Sequence, residues 1–334
     1  MRVAVSIPVE EGLPVARLVE LGTTAERLGY AAVVAGEVAG PDAVGLLSVV
    51  ASRTERVQII TGVLPMGTRS PALQAMGFQT LASLAPGRVI AGVGISSPIV
   101  VERWHGHTFH PPLAYAREFL PAFRTALDGE RLEVGGAYLR SDGFKTTLPA
   151  GERIPIVLAA MRPRMIRLAG ELADGAFLTW CPPVEAAEQA VSCRDAAAAA
   201  GKDPGELLMM ASFFGYAGPG LEEARERMRR YVLQYAMVPT HRDSFVRAVP
   251  NLPEIEAAWQ AGDRKAALAL VSDASVDQMA AIGADAVAQR VADLNAAGIE
   301  LPIMVTVAAR FGDGDGPLAT IHAAAGALGL EARG

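Results

Sequence analysis

Short β-branched runs alternate with longer helical patterns from one end of this chain to the other, and few folds accept that rhythm. The runs at residues 2–8, 31–37, 57–64, 88–94, 154–160, 175–180, 207–214 and 302–308 read as strands. Residues 15–28, 42–54, 71–84, 112–127, 163–173 and 184–200 carry helical patterns between them. Parallel strands need a crossover, usually a helix, to return to the same edge, so the alternation means a parallel sheet covered by helices. Eight such units predict a single (β/α)8 barrel. The 334 residues, 51% hydrophobic, can fill it as one domain over 1–334; size alone also allows two smaller domains.

Two segments break the rhythm. Residues 131–147 hold Gly-Gly and Asp-Gly turn signals between β-formers, which predicts a hairpin inserted before the fifth strand. Residues 222–283 are too long for a bare loop between the seventh and eighth strands and predict a helical excursion over the mouth. Its Tyr231, Tyr235, His241 and Trp259 either form a lid or pack against the barrel.

Parallel α/β sheets bind ligands at the carboxyl ends of their strands. Residues 61–100 are the most informative stretch on that face, holding two β-runs, a helix and two marked exits. The first exit runs Leu64-Pro65-Met66-Gly67-Thr68-Arg69-Ser70-Pro71, and the second runs Gly94-Ile95-Ser96-Ser97-Pro98. Small residues and hydroxyls at the second exit let a ligand approach the backbone.

The formal net charge of −6, with Lys and Arg scattered, leaves no footprint for nucleic acid or an acidic membrane. No apolar stretch reaches the roughly 18 residues of a membrane span. Met1 runs straight into a β-run, which leaves no room for a signal peptide and predicts a cytoplasmic protein. Cys181 and Cys193 suggest neither a disulfide framework nor a metal cage, and read as ordinary thiols.

Glu37 falls at the end of the second strand, flanked by Gly36 and Gly40. An acid there either exchanges a proton near a bound ring or is held by an arginine or backbone amides. Asp42 reads as the cap of the helix that follows. His105, His107 and His110 cluster after the fourth strand, but the other ligands of a metal site are missing, so no metal is expected. Trp104 and Phe109 can wall a planar ligand or pack this loop, with one histidine bonded to substrate. Gly92-Val93-Gly94 lacks the third glycine of a dinucleotide fingerprint; its exit, with Ser96 and Ser97, suits an anion instead. Ala160, Met161, Arg162 and Arg164 span a strand end that passes directly into a helix begun by Pro163. Its arginines either hold a phosphate or are two exposed cations at a helix start.

Together these segments resemble the luciferase-like family of flavin and deazaflavin enzymes. TGVLPMGTRSPALQA is similar to the family's third-strand exit, followed by a Leu-Ala-Pro-Gly-Arg turn and the AGVGIS strand; residues 283–305 resemble its last helix and strand. AGEVAGPDA, GVGISSPIVVERWHG and IPIVLAAMRPRMIRLAGELADG look most like the branch that uses coenzyme F420, an 8-hydroxy-5-deazaflavin. The resemblance implies a homodimeric TIM barrel with the tricyclic ring at the mouth. It also implies a bulged third strand with a cis peptide, falling at Gly62-Val63 and followed by Leu64, behind that ring. Cofactor phosphate would lie at Gly94, Ser96 and Ser97 and at residues 160–164, with Ile7, Trp104, His110, Trp180 and His241 around the substrate. Some sugar-oxidising members carry a glutamate where this chain has Ser97-Pro98, which argues against sugar-phosphate oxidation.

These features predict hydride transfer between the deazaflavin and a small C=C, C=N or C–OH substrate, with Glu37 handling a proton and His105 orienting substrate. The alternatives are an FMN-dependent monooxygenase of the same family, a non-catalytic cofactor carrier, and a metal-dependent barrel hydrolase.

Overall fold

The computed structural model describes residues 2–149, 151–238 and 242–332. Eight parallel strands close on themselves: β1 (Ala4–Ser6), β2 (Ala32–Ala35), β3 (Gln58–Thr61), β4 (Val89–Gly94), β5 (Ile156–Ala160), β6 (Gly175–Leu178), β7 (Leu208–Tyr216) and β8 (Leu301–Thr306). Pairing of β7 with both β6 and β8 completes the ring. Most strands are shorter than the β-branched runs, with β1, β2, β3, β6 and β8 leaving the ladder before the run ends at the mouth, whereas β7 runs on to Tyr216.

Side-chain alternation sorts the runs into two cores. Ala4, Ala32, Val34, Ile60, Ile90, Val157, Phe177, Met210, Leu301 and Ile303 fill the barrel interior. Val3, Val5, Val33, Ile59 and Leu158 face outward into the layer packed by the helices. The Phe177 ring sits against Gly62, where a Cβ would lie 2.9 Å from it, so the absent side chain leaves the space that close packing fills. Ile7 keeps the parity of Val3 and Val5 and is buried in the outer layer, where its Cδ1 lies beside Gly22 of the helix Val15–Arg27. It does not line the substrate pocket, which corrects the expectation above.

The run at 57–64 is interrupted. Ile59 and Ile60 pair with Val89 and Ile90, and pairing resumes only with Leu64 and Pro65 against Val93 and Gly94. One extra residue on β3 makes a bulge, and the Gly62–Val63 peptide within it is cis, as the resemblance implied. Glycine is required at two places here. A Cβ on Gly62 would overlap Val34 and crowd Phe177, and one on Gly92 would overlap the Thr61 carbonyl.

Asp42 caps the helix Ala43–Ala51 by accepting from Gly45 N–H at 2.6 Å, as expected. Ser70 does the same for Pro71–Leu84, accepting from Leu73 N–H at 3.2 Å. The inserted hairpin is present as Leu132–Gly135 paired antiparallel with Arg140–Phe144. Glu118, from the helix Pro112–Leu127, accepts the N–H groups of Ala137 and Leu139 at 3.1 and 2.6 Å and so pins the hairpin turn.

The excursion is helical, as expected: Leu221–Ala236, Arg242–Phe245, Leu252–Gln260, Arg264–Ala269 and Asp273–Met279. It ends in a short strand missing from the sequence reading, Ala280–Ile282, which extends the sheet beside Phe214–Tyr216 of β7. These helices share an apolar core with Met161, Trp180, Phe214, Tyr216 and Val307, so the excursion packs onto the exits of β5 to β8. Among the described residues no helix is long and apolar enough to cross a membrane.

Candidate active site at the barrel mouth

The exits of β2 to β5 form one half of the mouth. Gly36 and the bulge touch: a Cβ on Gly36 would lie 3.0 Å from the Gly62 carbonyl oxygen, and the Glu37 N–H approaches the Val63 carbonyl at 3.4 Å. The β4 exit meets the same bulge, since a Cβ on Gly94 would come 2.7 Å from Val63 Cγ2. Val63 is thus wedged between two strand exits with its peptide plane turned by the cis bond.

Glu37 is at the predicted place, but its carboxylate is committed. Arg69 donates from Nε to Oε1 at 3.3 Å and from Nη2 to Oε2 at 3.0 Å, and the Ala43 N–H donates to Oε2 at 3.0 Å. Arg69 also pairs with Asp42. Burial would weaken the Arg69 cation, yet its bonds to Asp42 and Glu37 outweigh that and hold it more firmly charged. Burial likewise opposes the Asp42 anion, but the Gly45 N–H and Arg69 bring its carboxyl below the usual range. Of the two readings of Glu37, the structure displays the arginine-held one.

The neighbouring exits carry anion-suited groups. Ser96 has a left-handed backbone (φ 66°), and the Ser97 hydroxyl accepts the Val100 N–H at 3.3 Å, opening a π-helical turn at Ile99–Trp104. Next to it, β5 runs through Ala160 and Met161 into the helix Pro163–Leu172, with Arg162 as its first cap residue. Val93 pairs with Leu158, so the two exits lie side by side. These adjacent exits thus carry hydroxyls, a helix start and the exposed arginines Arg162 and Arg164, groups of the kind that can bind an anion.

The other half of the mouth is aromatic and acidic. Trp180, with a left-handed backbone (φ 51°), packs on Phe214 at 4.3 Å, Tyr235 at 4.5 Å and Phe245 at 5.3 Å between ring centres. Phe214 continues the series to Tyr231 at 6.0 Å. Glu11, just past β1, is 3% exposed; Arg227 pairs with it, and the Ala308 N–H donates to it at 3.2 Å. Burial raises the Glu11 carboxyl despite these partners. Glu10 stays open to solvent but is surrounded by enough protein that burial, reinforced by the Glu11 charge, raises its carboxyl too. Burial pushes the Tyr235 and Tyr231 hydroxyls upward, helped by the charge of Glu10 at Tyr235, which reaches about 12, and chiefly by that of Glu11 at Tyr231. An open depression of about 720 Å³ lies beside this group, walled by Arg227, Tyr231, Gln234, Ala309, Arg310 and Phe311.

Glu10 and Glu11 were not singled out from sequence, although two consecutive acids directly after a strand ending in Pro8 were a usable signal. The histidine loop lies apart from the aromatic series. His105 ends the π-helical turn and is exposed, as is Trp104 at 55%. His110 packs on Tyr115 and Tyr138, at 5.3 and 5.0 Å, beside the hairpin. His241 lies outside the described residues. Among the described residues no three His, Cys, Asp or Glu side chains are grouped to hold a metal ion. Cys181 and Cys193 are free and buried, and burial raises both thiols, Cys193 to about 11.

Comparison with known proteins agrees with this architecture. Residues 1–301 match the model of the family described as luciferase-like monooxygenase. A Mycobacterium tuberculosis protein whose name places it with the coenzyme F420-dependent oxidoreductases is 36% identical over 180 residues, 49% of this chain and 50% of that protein. The 5,10-methylenetetrahydromethanopterin reductase of Archaeoglobus fulgidus is 26% identical over 76% of this chain and 78% of its own. The chain thus spans about half the length of the first of these curated relatives. In fold, the coenzyme F420-dependent tetrahydromethanopterin reductase of Methanopyrus kandleri superposes with a TM-score of 0.82 at 19% identity, covering 99% of both chains. An F420-dependent secondary alcohol dehydrogenase superposes at 0.80 with 17% identity over 98% of both. The family match over most of the chain, on a closed barrel whose third strand is bulged at the mouth, shows that this protein belongs to the luciferase-like monooxygenase family.

Proposed function

We propose that the protein is a coenzyme F420-dependent oxidoreductase that passes hydride between the deazaflavin and a small organic substrate with a C=C, C=N or alcohol/ketone group. The observation that carries this reading is the two-sided mouth: a bulged wall beside anion-suited exits faces an aromatic, acid-bearing half. The names of relatives from separate enzyme groups, all F420-dependent or acting on methanopterin, favour the deazaflavin over FMN.

When bound, the deazaflavin supplies a carbon centre that gives or takes hydride. The chain's own residues do the rest. Val63 and Gly62 back the ring, with Gly94 and Leu64 keeping the bulge in register with β4. Ser96, Ser97, Arg162 and Arg164 hold its phosphate. Trp180 and Tyr235 wall the substrate side and keep water from the reacting face. Glu10, at the β1 exit within electrostatic reach of Tyr235 and Tyr231 and with its carboxyl raised by burial, is the candidate proton donor or acceptor at the substrate, whereas Glu37 orders the β2 exit through Arg69.

Equilibrium binding of F420 and of FMN, measured side by side by fluorescence at matched salt, tests this. Selective F420 binding is expected. Selective FMN binding overturns the cofactor assignment and points to oxygen chemistry; binding of neither favours a non-catalytic role.

A further inference from the structure

The depression beside the acidic half of the mouth has an unfinished inner wall. Its volume of about 720 Å³ suits a small molecule, and Tyr231 belongs both to it and, through Phe214, to the aromatic series. At that wall Arg227 Nη2 donates to the Glu11 carboxylate and to the Tyr231 hydroxyl, the latter at 3.0 Å. Arg227 Nη1 is buried with no acceptor among the described residues. Glu11 turns its other oxygen to the Ala308 N–H at 3.2 Å. Solvent does not reach Nη1, so the acceptor it lacks is one that a bound molecule brings. We propose that Arg227 receives the carbonyl oxygen of the substrate, and that the substrate class is a C=C bond conjugated to that carbonyl. The proposal rests on the F420 reading above, with Glu10 as the proton donor.

The candidate substrates differ in where charge and proton go. A guanidinium stays charged at any working pH, so it neither gives nor takes a proton and serves only to stabilise negative charge on an acceptor. A simple ketone develops its charge and takes its proton on one oxygen, which a single acid can serve. An imine reacts as its protonated cation, which Arg227 repels. A conjugated carbonyl separates the two events. Hydride bonds to the carbon β to the carbonyl, the C=C pair shifts toward the carbonyl, and the enolate charge rests on oxygen. The proton then bonds to the α carbon. Two electrons arrive with the hydride, the reduced deazaflavin is oxidised, and the Glu10 carboxyl loses the proton. The chain keeps these functions apart in the same way, because Arg227 pairs with Glu11 and leaves the neighbouring Glu10 to carry the proton. Phe311 adds an apolar wall for a planar conjugated system. Its ring edge rests on Gly12, where a Cβ would lie 2.5 Å from Cζ, while the residue is 72% exposed. The Gly312 N–H donates to the Glu11 carbonyl at 2.9 Å and fixes the loop that carries this ring.

The test uses ionised 4-nitrophenol, a planar conjugated oxyanion that imitates the enolate, titrated into the F420-loaded protein by absorbance, with uncharged 4-nitroanisole as the control. Wild type should bind the phenolate about tenfold more tightly than the anisole. Arg227→Lys keeps a cation for Glu11 but loses the fork that serves two acceptors at once. It should lose about tenfold in phenolate affinity and nothing for the anisole, with F420 affinity and circular dichroism unchanged. Phe311→Ala should weaken both probes alike. With reduced F420, turnover of 2-cyclohexenone should exceed that of cyclohexanone and of 1-pyrroline, and Arg227→Lys should lower its kcat. Equal phenolate affinity in wild type and Arg227→Lys, or faster turnover of cyclohexanone or 1-pyrroline, overturns the substrate class while leaving the cofactor reading in place. A wild type that binds no F420 overturns the cofactor reading and this inference with it.

Discussion

Thr61 holds both ends of Gly92: its hydroxyl donates to the Gly92 carbonyl at 2.6 Å and accepts the Gly92 N–H at 2.9 Å. The bulge interrupts the β3–β4 ladder at this level, and one side chain replaces the backbone partners that Gly92 loses. Thr61 is fully buried, so no water can take over. Thr61→Val keeps the shape and leaves two buried backbone groups unpaired. It should cost about 2–4 kcal/mol. The check is urea unfolding, with a lower midpoint and unchanged slope. An unchanged midpoint means the bulge is held without this hydroxyl.

Glu26 plays a comparable part at the entry to β3. Its carboxylate accepts the N–H groups of Glu55 at 3.0 Å, Arg56 at 2.7 Å and Val57 at 2.9 Å. Burial alone would raise this carboxyl, but those donors prevail and lower it from 4.5. A lowered folded-state value means the contribution is complete above the unfolded value and disappears as pH falls through the folded one. Glu26→Gln should therefore lose about 1 kcal/mol near neutral pH. The gap from wild type should close as pH falls through the lowered folded-state value. Denaturant midpoints across pH measure this; a gap that persists at acid pH refutes the linkage.

How far sequence carried the reading depends on the kind of information each feature needs. The eight strands were legible because a doubly buried parallel strand must be a short β-branched run, and nothing else in the chain looks like that. Side-chain direction was not. Ile7 was placed in the pocket, but an alternating pattern says which residues share a face without saying which face is inner, and Val3 and Val5 carry it outward. The state of Glu37 required Arg69, which reaches it only once the β3 exit folds back across β2. Glu11 was passed over because its partners Arg227, Tyr231 and Ala308 come from the far end of the chain. The bulge came from resemblance alone, since β-branched residues continue through Val63 without marking the break.

The helices after β2 and β3 leave an apolar face uncovered. Val49, Leu73, Met76 and Leu84 are 36%, 47%, 47% and 44% exposed. We propose that a second copy of the chain covers this face, as the family resemblance implies. The Leu73→Glu/Met76→Glu double variant should run as a monomer by light scattering, at half the wild-type mass, with its far-ultraviolet circular dichroism unchanged. A monomeric wild type, or a double variant that stays dimeric, rejects this interface.

The two candidate acids at the mouth make opposite predictions. Glu10 is water-accessible with a raised carboxyl, so its protonated form persists to higher pH than an ordinary glutamate's. A step that takes a proton from it slows as pH rises through that value, and Glu10→Gln should lose about 100-fold in kcat together with that pH limb. Its F420 affinity should stay within a factor of about two, because no phosphate-side group is touched. Glu37→Gln should retain the pH limb, because both Glu37 oxygens already serve Arg69 and the Ala43 N–H. Its expected loss is in cofactor affinity and thermal stability, as Arg69 and the β2 exit loosen. If Glu37→Gln removes the pH limb and Glu10→Gln does not, the proton is handled at Glu37 and the ion pair must open during turnover.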